Sequence, residues 1–320
     1  MMRGRVRTTL RLHRFELVSF ALAFVVFVAL AFLASAWVAS LTPPLGCFGI
    51  EDGSDTPSVV ACRVARRSFD EASGMTFGLT GPLLAITYVV GLFLGVPLVA
   101  RELERGTTRL AWSLGPSRWR WYGTTVIPIA VILVVLTFAS GVALDRFFAV
   151  TQPTIDPSES FTGFGARGGL GLAARAFLIF GIGVALGAIV GRSWPALLIG
   201  ALVVTVVLGA GERFHQDVVL RAEAVLVAET DDTATFDQGQ LFIDTRFRLP
   251  DGSMVGWDHF NGDPQALYDD NGNPRYPTYS LVVPGERYRF VEAREAGILF
   301  VLGLVALAIG GAAVARRRPG

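Results

Sequence analysis

Lysine is absent from this chain: all 28 basic residues are arginine. The compositional bias of a GC-rich genome accounts for such an absence without any appeal to function. Its chemical consequence holds either way. A Walker A phosphate loop, GxxxxGK[ST], needs a lysine to reach the β- and γ-phosphates, and that pattern does not occur here. If the chain uses ATP, a partner must bind and hydrolyse it. Charge is also scarce. Charged residues make up 17% of the chain, against about 25% in soluble domains, and they avoid the long apolar runs. The net charge of +1, with no basic patch interleaved with stacking aromatics, gives no sign of a nucleic-acid partner.

Metal-binding patterns are lacking too. His215 and His259 sit far from both cysteines and outside any HExxH motif, so polar contacts or exposure are expected of them rather than zinc. Asp269, Asp270, Asn271 and Asn273 resemble a calcium loop, but no bidentate Glu follows at the required spacing, and a plain turn is expected. No Ser/His/Asp or paired-carboxylate arrangement stands out from so acidic a segment. The chain is therefore expected to bind no metal or cofactor itself and to be no enzyme by itself.

What is abundant is apolar sequence: 52% of 320 residues, with mean hydropathy +0.50. A spanning helix needs about 20 apolar residues. Six runs qualify: Leu17–Leu41, Gly81–Ala100, Thr124–Leu144, Ala174–Val190, Trp194–Ala210 and Ala296–Ala315. The fourth and fifth are separated only by Gly191, Arg192 and Ser193, which reads as a tight helical hairpin, and Pro195 suits the first turn of the returning helix. Ala34-Ser35-Ala36 resembles a signal-peptidase site, but the first run is too long for the usual apolar region of about 7–15 residues. It is expected to remain as a span.

Arginine in short flanking segments sets orientation. Arg3, Arg5, Arg7, Arg11 and Arg14 precede the first run, Arg101, Arg105, Arg109, Arg118 and Arg120 follow the second, Arg192 lies in the hairpin, and Arg316, Arg317 and Arg318 end the chain. With an even number of spans all four groups share one side, which is then cytoplasmic, as are both termini. The N-terminal arm places Val6, Leu10 and Leu17 near one helical face and arginines on another, which suits an interfacial helix over residues 1–16 leading into the first span; a disordered basic arm is the other reading.

The opposite side receives the segments 42–80, 152–169 and 212–295. Cys47 and Cys62 fall in the first. If it lies outside the cell, a disulfide is expected; the alternative is a pair of buried thiols. The segment 212–295 is too long for an idle connection. Pro250-Asp251-Gly252 and Asn261-Gly262-Asp263 punctuate strand-like stretches at Gln240–Leu249 and Met254–Phe260, which reads as a small β-rich cap. An irregular or helical stretch is expected from Glu212 to Val227. The fold class is thus an all-α polytopic membrane protein: six transmembrane helices with a small β-rich extracellular cap.

The spans carry few ionisable residues, which argues against an ion-driven carrier. Arg175 is the ambiguous one, either snorkelling to the surface or contacting a substrate. Small residues recur every four positions: Gly91 and Gly95, then Gly183, Gly187 and Gly191. Such spacing suits close helix packing.

The segment 101–121 breaks the pattern of an idle loop. Glu102 and Glu104 sit among arginines, Gly106-Thr107-Thr108 interrupts the helix, Leu110, Trp112 and Leu114 add apolar surface, and Ser117 is placed to cap a helix starting at Arg118. The residues admit two readings: a protein-docking knob, or an interfacial loop anchored by tryptophan. PLVARELERGTTRLAWSLGPSRWRW resembles the segment after the second span in type-2 export permeases of ATP-binding-cassette transporters. The stretch VVPGERYRFVEAREAGILF, with Pro284, Arg287, Tyr288 and Phe290 and then Glu292 and Glu295, is similar to the lead-in to the last span in an actinobacterial branch of that family. Ser113-Leu114-Gly115-Pro116 and Phe290 depart from that branch. The resemblance implies that Glu102, Glu104, Gly106, Thr107, Arg109 and Arg118 form or support an ATPase-coupling surface, aided by the interfacial N-terminal helix. It also implies an ABC ATPase subunit that carries ATP and Mg, a second permease copy or paralogue, surrounding lipids, and residence in a bacterial plasma membrane. The competing expectation is a membrane receptor or assembly protein whose outer segment binds a ligand without transport.

Overall fold

The computed structural model describes residues 14–48, 56–78, 80–106, 117–164, 168–228, 239–260, 263–269 and 275–317. The chain is mostly helical and divides into two compact units. One comprises Met1–Thr154, Gly163–Gly209 and Glu292–Gly320; the other comprises Ile155–Thr162 and Ala210–Val291. The expected interfacial helix at residues 1–16 lies outside the described residues except for its last three, which belong to the first helix.

Among the described residues, six helices are long and apolar enough to cross a membrane: α1 (Arg14–Leu41), α3 (Thr80–Glu104), α4 (Arg118–Thr151), α5 (Gly169–Val190), α6 (Ser193–Phe214) and α7 (Tyr288–Arg316). They outrun the apolar sequence because polar residues at their ends continue the helix wherever they find water or a partner. In α1 only a narrow stripe is covered: Phe24, Phe27, Ala31, Ser35 and Val38 are buried, near the helical repeat, and α1 packs against α4. Its other faces expose Leu22, Val25, Leu30 and Leu33, as expected of a helix wetted by lipid. α5 is the opposite case, buried nearly all round and packed against α3 and α4.

A further helix, α2 (Pro57–Phe77), replaces the polar loop expected over 42–80. Pro57 opens it, where a missing N–H costs nothing. Arg66–Asp70 and Arg67–Glu71 form ion pairs one turn apart, and Phe69 and Ala72 are buried where α2 packs against α1. Cys47 is disulfide-bonded to Cys62 with Cα atoms 5.3 Å apart, and the ring of Phe48 meets Phe69 edge-on.

The second unit is built on an antiparallel sheet with strand order β1-β4-β2-β3, formed by β1 (Val225–Ala228), β2 (Leu241–Arg248), β3 (Met254–Gly256) and β4 (Thr278–Val283). β2 and β3 form the hairpin that Pro250-Asp251-Gly252 signals. Gly252 has φ +84° and donates to Leu249 O at 2.9 Å. Asp251 Oδ1 accepts from Ser253 N at 2.9 Å and from its hydroxyl at 2.6 Å. The expected second strand ends early: Trp257–Phe260 is a 3-10 turn. Phe260 stacks edge-on against buried Phe247 at 5.4 Å. Ile243 is a bulge, since Phe242 pairs with Val282 and Asp244 with the adjacent Leu281. Within the stretch expected to be irregular or helical, α6 runs into a π-helical turn, His215–Leu220, and Val225–Val227 belongs to β1. Asp270, Asn271 and Asn273 lie outside the described residues.

Candidate functional site

Two of the charges expected to form a docking surface, Glu104 and Arg118, sit at helix ends and reach the ends of other helices. α3 finishes at Glu104, just before Gly106, whose φ of +69° breaks the helix. Glu104 Oε2 accepts from the Ser193 amide at 3.2 Å and from the Ser193 hydroxyl at 3.1 Å. Ser193 opens α6, so its amide has no partner within that helix, and a carboxylate there also meets the positive end of the helix dipole. On the other flank Arg118 opens α4. Its Nη1 donates to Ala315 O at 3.0 Å and to Arg317 O, both at the C-terminal end of α7. Arg317 in turn donates from Nη2 to Ile189 O at 3.0 Å, in the last turn of α5. Cations thus meet carbonyl-rich C-terminal ends, and a carboxylate meets an N-terminal one.

Neighbouring side chains fix this arrangement. Tyr122, one turn beyond Arg118, donates its hydroxyl to Leu307 O at 2.8 Å. Trp119 packs on Gly311, where an added Cβ would collide with its ring. Ser117 occupies the N-cap position of α4, but its side chain makes no capping hydrogen bond, a correction to the cap expected there. Glu102 is partly buried; Thr107 and Arg109 lie outside the described residues.

The glycines do two different things. A Cβ on Gly95 would lie 2.6 Å from Phe180 O, one on Gly91 2.8 Å from Ile179 Cγ2, one on Gly183 3.2 Å from Val96 N, and one on Gly187 would strike Val96 O. These four let α3 and α5 approach backbone to backbone. Gly191 is not part of that crossing. It ends α5 in the left-handed region, φ +71°, with its amide donating to Gly187 O at 3.0 Å, beneath the Arg317 guanidinium.

A second charged cluster holds the other end of α5. Asp145 Oδ1 accepts from Gly168 N at 3.1 Å, and Glu292 Oε1 from Gly171 N at 3.3 Å. One turn on, Arg175 donates from Nη2 and Nε to Glu295 Oε1 at 2.6 and 3.1 Å. The two side chains are only 16% and 14% exposed, so Arg175 does not snorkel; it forms a half-forked ion pair with the last helix. Glu292, Glu295 and Arg317 carry much of this geometry. In sequence their signal is weak but physical: acids at one end of a span and arginines at the other complement helix ends elsewhere.

Residues 21–214, more than half of the chain, match a family described as ABC-2 membrane transporter related. The chain belongs to that family. ABC-2 permeases are the transmembrane components of their transporters and not the ATPases, and the family implies an ABC ATPase partner in general. Together with six apolar helices, this makes the chain a multi-pass membrane transporter permease. Comparison with curated proteins and with solved structures yields no match.

Proposed function

We propose that this ABC-2 chain is the membrane-spanning permease subunit of an ABC exporter in a bacterial plasma membrane, driven by ATP and Mg on a separate ATPase subunit. The family match over residues 21–214 carries the reading. In it both termini are cytoplasmic, residues 101–121 face the ATPase, residues 212–295 form an extracellular cap, and a second copy or a paralogue completes the pathway. Arginine content supports that orientation: the segments that hold Arg118, Arg192 and Arg317 fall on one side. The cargo class that fits the family is an amphiphilic small molecule, a lipid or a peptide.

Affinity purification of the tagged full-length chain from its native membrane tests this. The expected result is co-purification of a span-free protein carrying Walker A and Walker B motifs, lost on Arg109→Glu. Stable isolation without an ATPase overturns the reading and favours a receptor.

A further inference from the structure

α2 is tied to the ends of two spans. Cys47, six residues beyond Leu41 at the end of α1, is bonded to Cys62 of α2. About two turns further along, Phe69 of α2 meets Phe48 edge-on. Only Gly78 and Leu79 then separate α2 from α3. Three points along α2 are thus anchored beside span ends, which keeps the helix at the level of the lipid headgroups. Its sides differ. Phe69 and Ala72 are buried, whereas Val60, Val64 and Met75 repeat at helical spacing on another side and are 42%, 64% and 71% exposed. An exposed apolar stripe beside a row of arginines suits a helix that rests in the interface.

Beside the Cys47–Cys62 disulfide is a groove of about 360 Å³ whose charged lining is Arg63, Arg66, Arg67, Asp70 and Glu71. It therefore offers three guanidinium groups and two carboxylates side by side. Arg66–Asp70 and Arg67–Glu71 pair at 3.8 and 3.0 Å, but all four side chains are largely in solvent, and exposed pairs one turn apart hold weakly. They open to a ligand that offers each partner a stronger contact. A guanidinium binds phosphate through two parallel N–H donors, and carboxylates accept from the N–H groups of a primary ammonium. A ligand that carries one phosphate and one primary ammonium satisfies both sets at once.

We propose that this groove binds the phosphoethanolamine headgroup of a membrane phospholipid, with the phosphate on Arg63, Arg66 and Arg67 and the ammonium on Asp70 and Glu71. The site needs only that the apolar helices span the membrane; it is independent of any ATPase. A phosphatidylglycerol headgroup brings its negative charge toward Asp70 and Glu71 with no cation to offset them. A phosphatidylcholine headgroup carries a quaternary ammonium, which has no N–H to donate. Both are therefore weaker ligands than phosphatidylethanolamine.

Native mass spectrometry of the full-length chain in detergent, titrated with dioleoyl phosphatidylethanolamine, phosphatidylglycerol or phosphatidylcholine, tests this. Phosphatidylethanolamine is expected to bind about tenfold more tightly than phosphatidylcholine. Arg63→Gln/Arg66→Gln/Arg67→Gln is expected to erase that preference. Asp70→Asn/Glu71→Gln is expected to weaken phosphatidylethanolamine about tenfold while phosphatidylglycerol binds more tightly than to wild type. All five side chains are exposed, so a changed preference in a variant that elutes like wild type reports on binding. Equal wild-type affinities for phosphatidylethanolamine and phosphatidylcholine, or a tighter phosphatidylglycerol, overturn the assignment. A second measurement needs no variant: phosphatidylethanolamine with a diazirine at the glycerol end of one acyl chain is expected to label the Pro57–Phe77 peptide. Labelling confined to other segments overturns the site. Displacement of the lipid by free phosphoethanolamine at equal concentration overturns the membrane as its source.

Discussion

The Arg175–Glu295 pair allows a quantitative prediction. Glu295→Ala leaves a guanidinium that is 16% exposed without the oxygen to which it donates twice, at 2.6 and 3.1 Å. Breaking a buried pair by removing one partner costs about 3–5 kcal/mol, because the remaining charge stays desolvated. The residual exposure of both side chains places this pair at the lower end, about 3 kcal/mol. That is roughly a hundredfold shift in the folded-to-unfolded ratio. Replacing both residues with leucine removes the desolvation problem along with the attraction, and is expected to lie within about 1–2 kcal/mol of the native protein. Unfolding of the purified permease in mixed micelles of rising SDS content, followed by tryptophan fluorescence, measures both. The decisive comparison is single against double. If Glu295→Ala costs under about 1 kcal/mol, as an exposed pair would, or if Arg175→Leu/Glu295→Leu costs as much as Glu295→Ala, the buried-pair argument is refuted.

Gly187→Leu places a side chain against Val96 O at the α3–α5 crossing. It is expected to abolish monodisperse protein on size exclusion, whereas the same change at Gly209, with open space around it, leaves the profile unaltered. Cys47→Ser/Cys62→Ser should lower stability by about 3 kcal/mol, the entropy of closing a loop of roughly this length; SDS titration of the double variant against wild type reads it. The Ser253 hydroxyl, then its amide, hold the Asp251 carboxyl below its ordinary value of 3.8. A folded-state value below the unfolded one contributes stability above the ordinary value that disappears as pH falls through the folded value. Hydrogen-exchange protection of the Ser253 amide, corrected for intrinsic rate, is therefore expected to fall below about pH 3.8, and a flat profile across that range contradicts the turn.

The spans were legible because lipid demands apolar side chains all round, and composition records that demand directly. Their ends were not. Arg101–Glu104 continues its helix as charged sequence, and α4 runs on through Asp145 and Arg146 to Thr151; a hydropathy reading stops at such charges. The same bias hid α2, whose charges pair one turn apart and whose buried face is only a few residues wide. β2 and β3 were signalled by local turn chemistry. β1 and β4 pair with each other across more than fifty residues, and a four-residue apolar run carries no label for that. At the candidate site, Glu104 and Arg118 were singled out by type and position, but their partners were not. Ser193 and Arg317 are distant in sequence, and a pattern confined to one segment cannot reveal an end-to-end meeting of helices. Arg175 failed for the same reason: its partner, Glu295, is 120 residues away.

α4 has 34 residues, about 51 Å of helix, against about 30 Å of hydrocarbon. Arg118 near one end and Asp145 near the other are separated by about 40 Å along its axis. Over that length a tilt of about 5° moves the far end by roughly 3.5 Å, more than the reach of a hydrogen bond. The helix is thus a lever arm, and Pro128, which offers no amide to the turn before it, sets its softest point about a third of the way along.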